Sequence, residues 1–269
     1  MSVIPGPPQS APSGWRWRAG RAKASLESIT AVKEKSIVYP ERWKKVAHKR
    51  AVFVPFDLPS GVLRKGVLAG SPKEIGSPYG RVYLCPDQVV IFGAIGAPVT
   101  ALCMEDLIAS GVREFLILGI CGSLRPEYRL GTAVCITKAI AEEGTSRMYF
   151  SKKRTFAPAP ALKRLVQVRL TARGRTYLPG IIVTTDAPYR ETPTWVRRNQ
   201  KRGAGVVDME TSAVFSVAEF HGVRAAALMV VSDELFSGTW TSGFGDPRLE
   251  KSLADHLLPF LAPGPGKRA

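Results

Sequence analysis

From Arg81 onward, short runs of Val, Ile and Leu alternate with longer segments whose apolar residues recur at helical spacing. Val82 to Leu84, Val89 to Phe92, Phe115 to Leu118, Ala133 to Thr137, Ile181 to Thr184 and Ala225 to Val231 read as strands, several of them apolar at every position. Between them, Thr100 to Ser110 reads as a helix with Leu102, Leu107 and Ile108 on one face and Gly111 as its stop. Met209 to Phe220 reads as another, with Ala213, Phe215, Val217 and Phe220 as candidate core residues and His221-Gly222 closing it. Strands buried on both sides and alternating with helices predict an α/β fold: a mixed, largely parallel central sheet flanked by helices on both faces. In such folds ligands gather beyond the carboxyl ends of the strands.

The rest of the chain bounds this reading. Among 269 residues, 45% are apolar and 22% charged, enough for a packed core without disulfides or metal. Length alone leaves one large or two small domains open, and one core spanning residues 25–263 is the simpler expectation. Met1 to Ala24, with four prolines and an isolated Trp15-Arg16-Trp17, is expected to form a loose tail, and residues 264–269 a polar fray. Ser25 to Val52 reads as a basic, helical lead-in ending near Arg50, with Val52-Phe53-Val54 beginning the first strand.

The formal charge of +16 concentrates in Arg16 to Arg50, Lys152 to Arg175 and Arg197 to Arg202, away from the apolar segments. These read as solvated basic faces. Nucleic-acid binding is the weaker alternative, since neither zinc-finger spacing nor an RNA-binding aromatic signature is present. Cys85, Cys103, Cys121 and Cys135 lie inside apolar runs without CxxC spacing, as expected of reduced, buried thiols in a cytoplasmic protein without a metal site. No apolar stretch reaches the roughly 18 residues of a membrane span, and no signal core opens the chain, so neither membrane nor secretion is expected.

Chemistry-bearing residues cluster at strand ends. Gly93-Ala94-Ile95-Gly96-Ala97-Pro98 lies between a strand and a helix, where Gly93 and Gly96 permit close backbone approach to an anion or sugar, or simply make a tight turn. Gly119-Ile120-Cys121-Gly122-Ser123 reads as a second glycine-bearing loop on the same edge, with a crowded turn as the alternative. In Val207-Asp208-Met209-Glu210, Asp208 is either a helix cap or part of a site. Glu210 could accept hydrogen bonds from two ribose hydroxyls while Met209 packs on the sugar. Asp233 ends an apolar strand, as either a turn residue or a general acid whose desolvated carboxyl holds a proton.

In order, FGAIGAP, GICGSL, EEGTS, TTDAPYRET, VVDMETSAVF and VVSDEL run from about Arg81 to Leu235. In these motifs the sequence resembles the nucleoside phosphorylase family that includes bacterial purine nucleoside phosphorylase and uridine phosphorylase. The resemblance implies Met209 and Glu210 as the ribose pair, Asp233 as the acid that protonates a departing purine, and Arg248 as its helper. It further implies base contacts from Asp186 and Tyr189 in the segment Asp186 to Tyr189, and from Asp208, though Pro188 stands where the family has an aromatic.

It implies anion-binding roles for Gly93, Gly96, Gly119, Cys121 and Gly122. One departure is plain: Ile117 and Ile120 occupy positions where phosphorylases carry an arginine and a Ser or Thr that grip phosphate. Arg64, Arg81, Arg125 or Arg147 could supply the charge instead, or water could replace phosphate. The expected partners are a nucleoside and phosphate, with phosphate as co-substrate, no other cofactor, and a homo-oligomer of trimeric or hexameric form. A nucleosidase and a catalytically silent nucleoside-binding relative remain open at this point.

Overall fold

The computed structural model describes residues 36–261. The tail expected at 1–24 and the fray at 264–269 lie outside these residues. Eleven strands form one sheet among the described residues. In chain order they are β1 (Arg50–Val54), β2 (Lys73–Ile75), β3 (Arg81–Leu84), β4 (Val89–Phe92), β5 (Glu114–Ser123) and β6 (Ala133–Ala141). Then come β7 (Thr155–Phe156), β8 (Leu178–Thr184), β9 (Val206–Asp208), β10 (Arg224–Glu234) and β11 (Thr241–Ser242). The helices are α1 (Val62–Leu68), α2 (Ala97–Ala109), α3 (Thr145–Tyr149), α4 (Pro160–Thr171), α5 (Pro193–Lys201), α6 (Thr211–His221) and α7 (Pro247–His256).

The sheet is mixed, and its long ladders are parallel. β5 lies parallel to both β1 and β10, and β6 lies parallel to β8, whereas the antiparallel pairings, such as β5 with β9 and β10 with β6, are short. Because β10 pairs with β5 as well as β6, the ring β10-β6-β8-β9-β5 closes on itself, and β1, β4, β3 and β2 extend from it as an open wing.

Strand alternation sorts the apolar residues into two layers. Phe53, Phe115, Ile117, Ala227 and Met229 face one side, where they pack with Met104 and Leu107 of α2 and Val214 and Phe215 of α6. Val54, Leu116, Leu118, Leu228 and Val230 face the other, against Leu162 and Val166 of α4, Leu249 and Leu253 of α7, and Leu63 of α1. The expectation of helices on both faces is met, and the continuous apolar runs of β5 and β10 are explained by it.

Four expectations are corrected. Residues 36–49 are not helical: Pro40 interrupts the segment, which lies along α2 with Glu41 N donating to Asp106 Oδ1 at 2.7 Å and Trp43 N to Ser110 Oγ at 2.8 Å. Residues 25–35 of that lead-in lie outside the described part. Leu102 is 57% exposed, because it stands five residues before Leu107 and a helix rotates it off the buried stripe of Cys103, Met104, Leu107 and Ile108. Phe220 sits at a rim, its ring edge-on to Tyr149 at 5.3 Å.

The fourth correction bears on the site. Gly119 to Ser123 are not a loop but the last half of β5, paired with Met229 to Glu234 of β10. Their glycines stand in a crowded strand rather than in a turn. A Cβ at Gly119 would lie 2.5 Å from Met229 Sδ, and one at Gly122 2.7 Å from Leu235 Cδ1 and 3.2 Å from Asp233 Oδ2. Gly93 and Gly96 are true loop glycines, with φ of 83° and 86°, a region only glycine enters without strain.

Candidate active site

β4 delivers the chain to Gly93, and the next residues turn so that Gly96 N points away from the helix that follows. That amide donates to Glu210 Oε1 at 2.6 Å. Glu210 precedes α6 and is buried, so one hydrogen bond joins the first glycine loop to the Met209-Glu210 pair across 114 residues of chain. Burial and the nearby Asp208 carboxylate push the proton affinity of Glu210 up.

Asp208 is also buried, but its oxygens are engaged by the protein. Oδ1 accepts from Thr184 Oγ1 at 2.7 Å; Oδ2 accepts from Thr211 N at 2.8 Å and from the Thr211 hydroxyl. Burial raises its proton affinity and these bonds lower it, so Glu210 is the one of the two that keeps a proton to higher pH. The geometry gives Asp208 a capping role, tying the start of α6 to the end of β8.

Asp233 enters the same edge from β10. Val207, Gly122 and Asp233 are register partners across β9, β5 and β10, so the acid lies level with the strand that leads into Glu210, over a floor that has no side chain at Gly122. Its Oδ1 accepts from Ser232 Oγ at 2.7 Å and its Oδ2 from Trp240 Nε1 at 2.9 Å. Cys121 is fully buried, its thiol pushed well up by burial and by the charges of Asp208 and Asp233, and it packs in the core. All four cysteines are free and buried.

Other expected residues are less close. Tyr189 is wholly exposed in a 3-10 turn, Pro188–Arg190. Asp186 accepts from Gly144 N at 2.9 Å, joining the segment after β8 to the start of α3. Arg248 pairs with Asp246 at 2.7 Å and lines a polar cavity of about 140 Å³ with Arg129, Glu234 and Ser242. Among the described residues it makes no hydrogen bond or ion pair to Asp233, because its own helix start, capped by Asp246, captures it.

The alternative cations divide in the same way. Arg64 pairs with Asp57 at 3.0 Å, Arg81 with Glu74 at 3.7 Å, and Arg125 is tied to Ala204 O at 3.0 Å and to Gln200 O. Arg147, exposed on α3, is the one of the four whose side chain has no hydrogen bond or ion pair among the described residues. Ile117 is fully buried in the core of β5. The residue that sequence reasoning missed is Glu191, whose carboxyl is pushed up to about 8 by burial and by the charge of Asp233. It lies in the TTDAPYRET motif, where nothing in the residue order says that Glu191 turns inward and Tyr189 outward.

Comparison with known proteins bears on the family and the fold. A profile described as the Phosphorylase superfamily matches residues 78–261. Guanosine phosphorylase of Halorubrum lacusprofundi is 31% identical over 172 residues, covering 64% of this chain and 71% of its own. A DeoD-type purine nucleoside phosphorylase of Caldanaerobacter subterraneus is 29% identical over 197 residues, covering 69% and 84%. In fold, purine nucleoside phosphorylase from Toxoplasma gondii in complex with immucillin-H aligns with a TM-score of 0.70 at 20% identity, over 86% of this chain and 98% of its own. AMP nucleosidase from Bacteroides thetaiotaomicron aligns at 0.63 and 21%, over 77% and 86%. With the matched span holding the Gly96–Glu210 contact and the strand that ends in Asp233, the chain belongs to the phosphorylase superfamily.

Proposed function

We propose that this enzyme cleaves the N-glycosidic bond of a purine nucleoside with phosphate, releasing the free base and ribose-1-phosphate. The observation that carries the reading is the Gly96–Glu210 contact, which fixes a carboxylate at the edge of the sheet where Asp233 also ends. Glu210 holds the two ribose hydroxyls, with Met209 against the sugar. As the bond between C1′ and the ring nitrogen lengthens, positive charge grows on the ribose and negative charge on the base. Asp233 gives a proton to the leaving base, and a phosphate oxygen forms the new bond at C1′. Glu191, a second carboxyl beside Asp233, keeps its own proton near neutral pH and so adds no full negative charge there. The purine preference is supported by the relatives, which are named as guanosine and purine nucleoside phosphorylases.

A second reading, hydrolysis, is favoured by Ile117 and Ile120: no cation of β5 meets an anion beneath the sugar, and Arg147 is the available charge. Incubating the protein with guanosine, inosine, adenosine and uridine, with and without phosphate, separates the two. Ribose-1-phosphate that appears only with phosphate supports phosphorolysis. Ribose formed without it supports the nucleosidase, and no cleavage of any of the four contradicts both and leaves a silent binder. Self-assembly is part of the proposal, supported by Leu102, Met148 and Phe220, which stand exposed on α2, α3 and α6. The enzyme is taken to act in the cytoplasm, in keeping with its free thiols.

A further inference from the structure

Both oxygens of the Asp233 carboxyl are already engaged, and by very different donors. Ser232, on Oδ1, is 1% exposed, and its hydroxyl also reaches Cys121 O at 3.3 Å. Trp240, on Oδ2, is 62% exposed and stands just before β11, after a loop that turns at Gly238 with φ of 84°. Oδ2 is also the oxygen that lies over Gly122, where the β5 floor has no side chain. Leu235 and Val207 fill the rest of that space, so a base reaches the acid from the solvent side, where Oδ2 is held by an indole N–H, and only the exposed donor can yield without disturbing the core.

We infer that Trp240 is the gate and stacking residue of the base subsite: its indole N–H caps Asp233 when the site is empty and gives way to a purine, whose ring the indole then covers. The loop fits this exchange. Its base is fixed by the pairing of Ser242 with Asp233 and by Gly243 N donating to Ser232 O at 2.9 Å, while residues 237–240 are exposed. A short displacement of the loop tip moves the indole and leaves the acid in place. The inference rests on the proposed cleavage of purine nucleosides, because the ring that displaces the indole is that reaction's leaving group.

The test compares W240F and W240A with the parent, using hypoxanthine for calorimetric binding and guanosine for turnover. W240F keeps a ring and removes the N–H, so hypoxanthine binds about tenfold tighter and the KM for guanosine falls in step. W240A removes the ring as well, so its hypoxanthine affinity falls roughly 5- to 100-fold below that of W240F. In parent protein, hypoxanthine changes the tryptophan emission, and W240F lacks that change. Both variants binding hypoxanthine as the parent does, with the emission change intact in W240F, overturns the gate alone. A parent that binds no hypoxanthine and cleaves no guanosine overturns the functional reading and the gate with it.

Discussion

Glu210 shows how a single carboxyl can be held ready for a sugar. Ribose hydroxyls donate to it, so binding favours its ionised form, whereas in the empty site burial and Asp208 favour its proton. Nucleoside binding therefore expels a proton, and affinity is expected to rise with pH through the neutral range by at most about tenfold per unit. Calorimetry in buffers of different ionisation enthalpy reads the released proton; E210Q should release none and bind at least tenfold more weakly. Glu191 makes a second pH statement. Its folded carboxyl titrates at about 8, above its unfolded value, so the folded state holds the extra proton between the two. Stability from this group is present at low pH and is lost as pH rises toward 8. E191Q should flatten that loss, and a parent-minus-variant melting difference that does not change between pH 5 and 9 would contradict it.

At the scale of elements, the glycines of β5 carry the argument. Gly122→Val would push a side chain into Val207, Leu235 and Asp233, so about 2 kcal/mol or more of stability and most activity should go together. Gly96→Ala strains a φ of 86° by about 1–2 kcal/mol and displaces the amide that holds Glu210. Here the sequence was legible in part. Val and Ile runs mark parts of β3, β4, β5, β6, β8 and β10, but β9 looks in sequence like the entry to a helix, and β5 reads as ending at Leu118, because two closely spaced glycines look alike in a turn and in a crowded strand. Helices α1 and α3 are too short to show a period, and α4, α5 and α7 are hidden because Lys and Arg fill their outer faces and leave only a few core contacts such as Leu162, Val196 and Leu253. An Asp before a helix reads in sequence as cap or site alike, and the bonds of Asp208 to Thr184 and Thr211 come only from the fold.

Across the whole molecule, the two apolar layers and the closed ring of strands fix the distance between the Glu210 and Asp233 edges. Phe115, fully buried and stacked on Phe53 at 6.1 Å, sits in the layer beneath α2. Phe115→Ala should cost about 3–5 kcal/mol, measured by denaturant unfolding. The central claim is that these two carboxyls divide the work, one gripping the sugar and one protonating the leaving base. A 4-nitrophenyl riboside, whose leaving group departs without a proton, separates those tasks. The account predicts that D233N loses about 100- to 10,000-fold in kcat/KM on guanosine but far less on the nitrophenyl riboside, whereas E210A loses heavily on both. Equal losses for D233N on the two substrates, or none on guanosine, would contradict it.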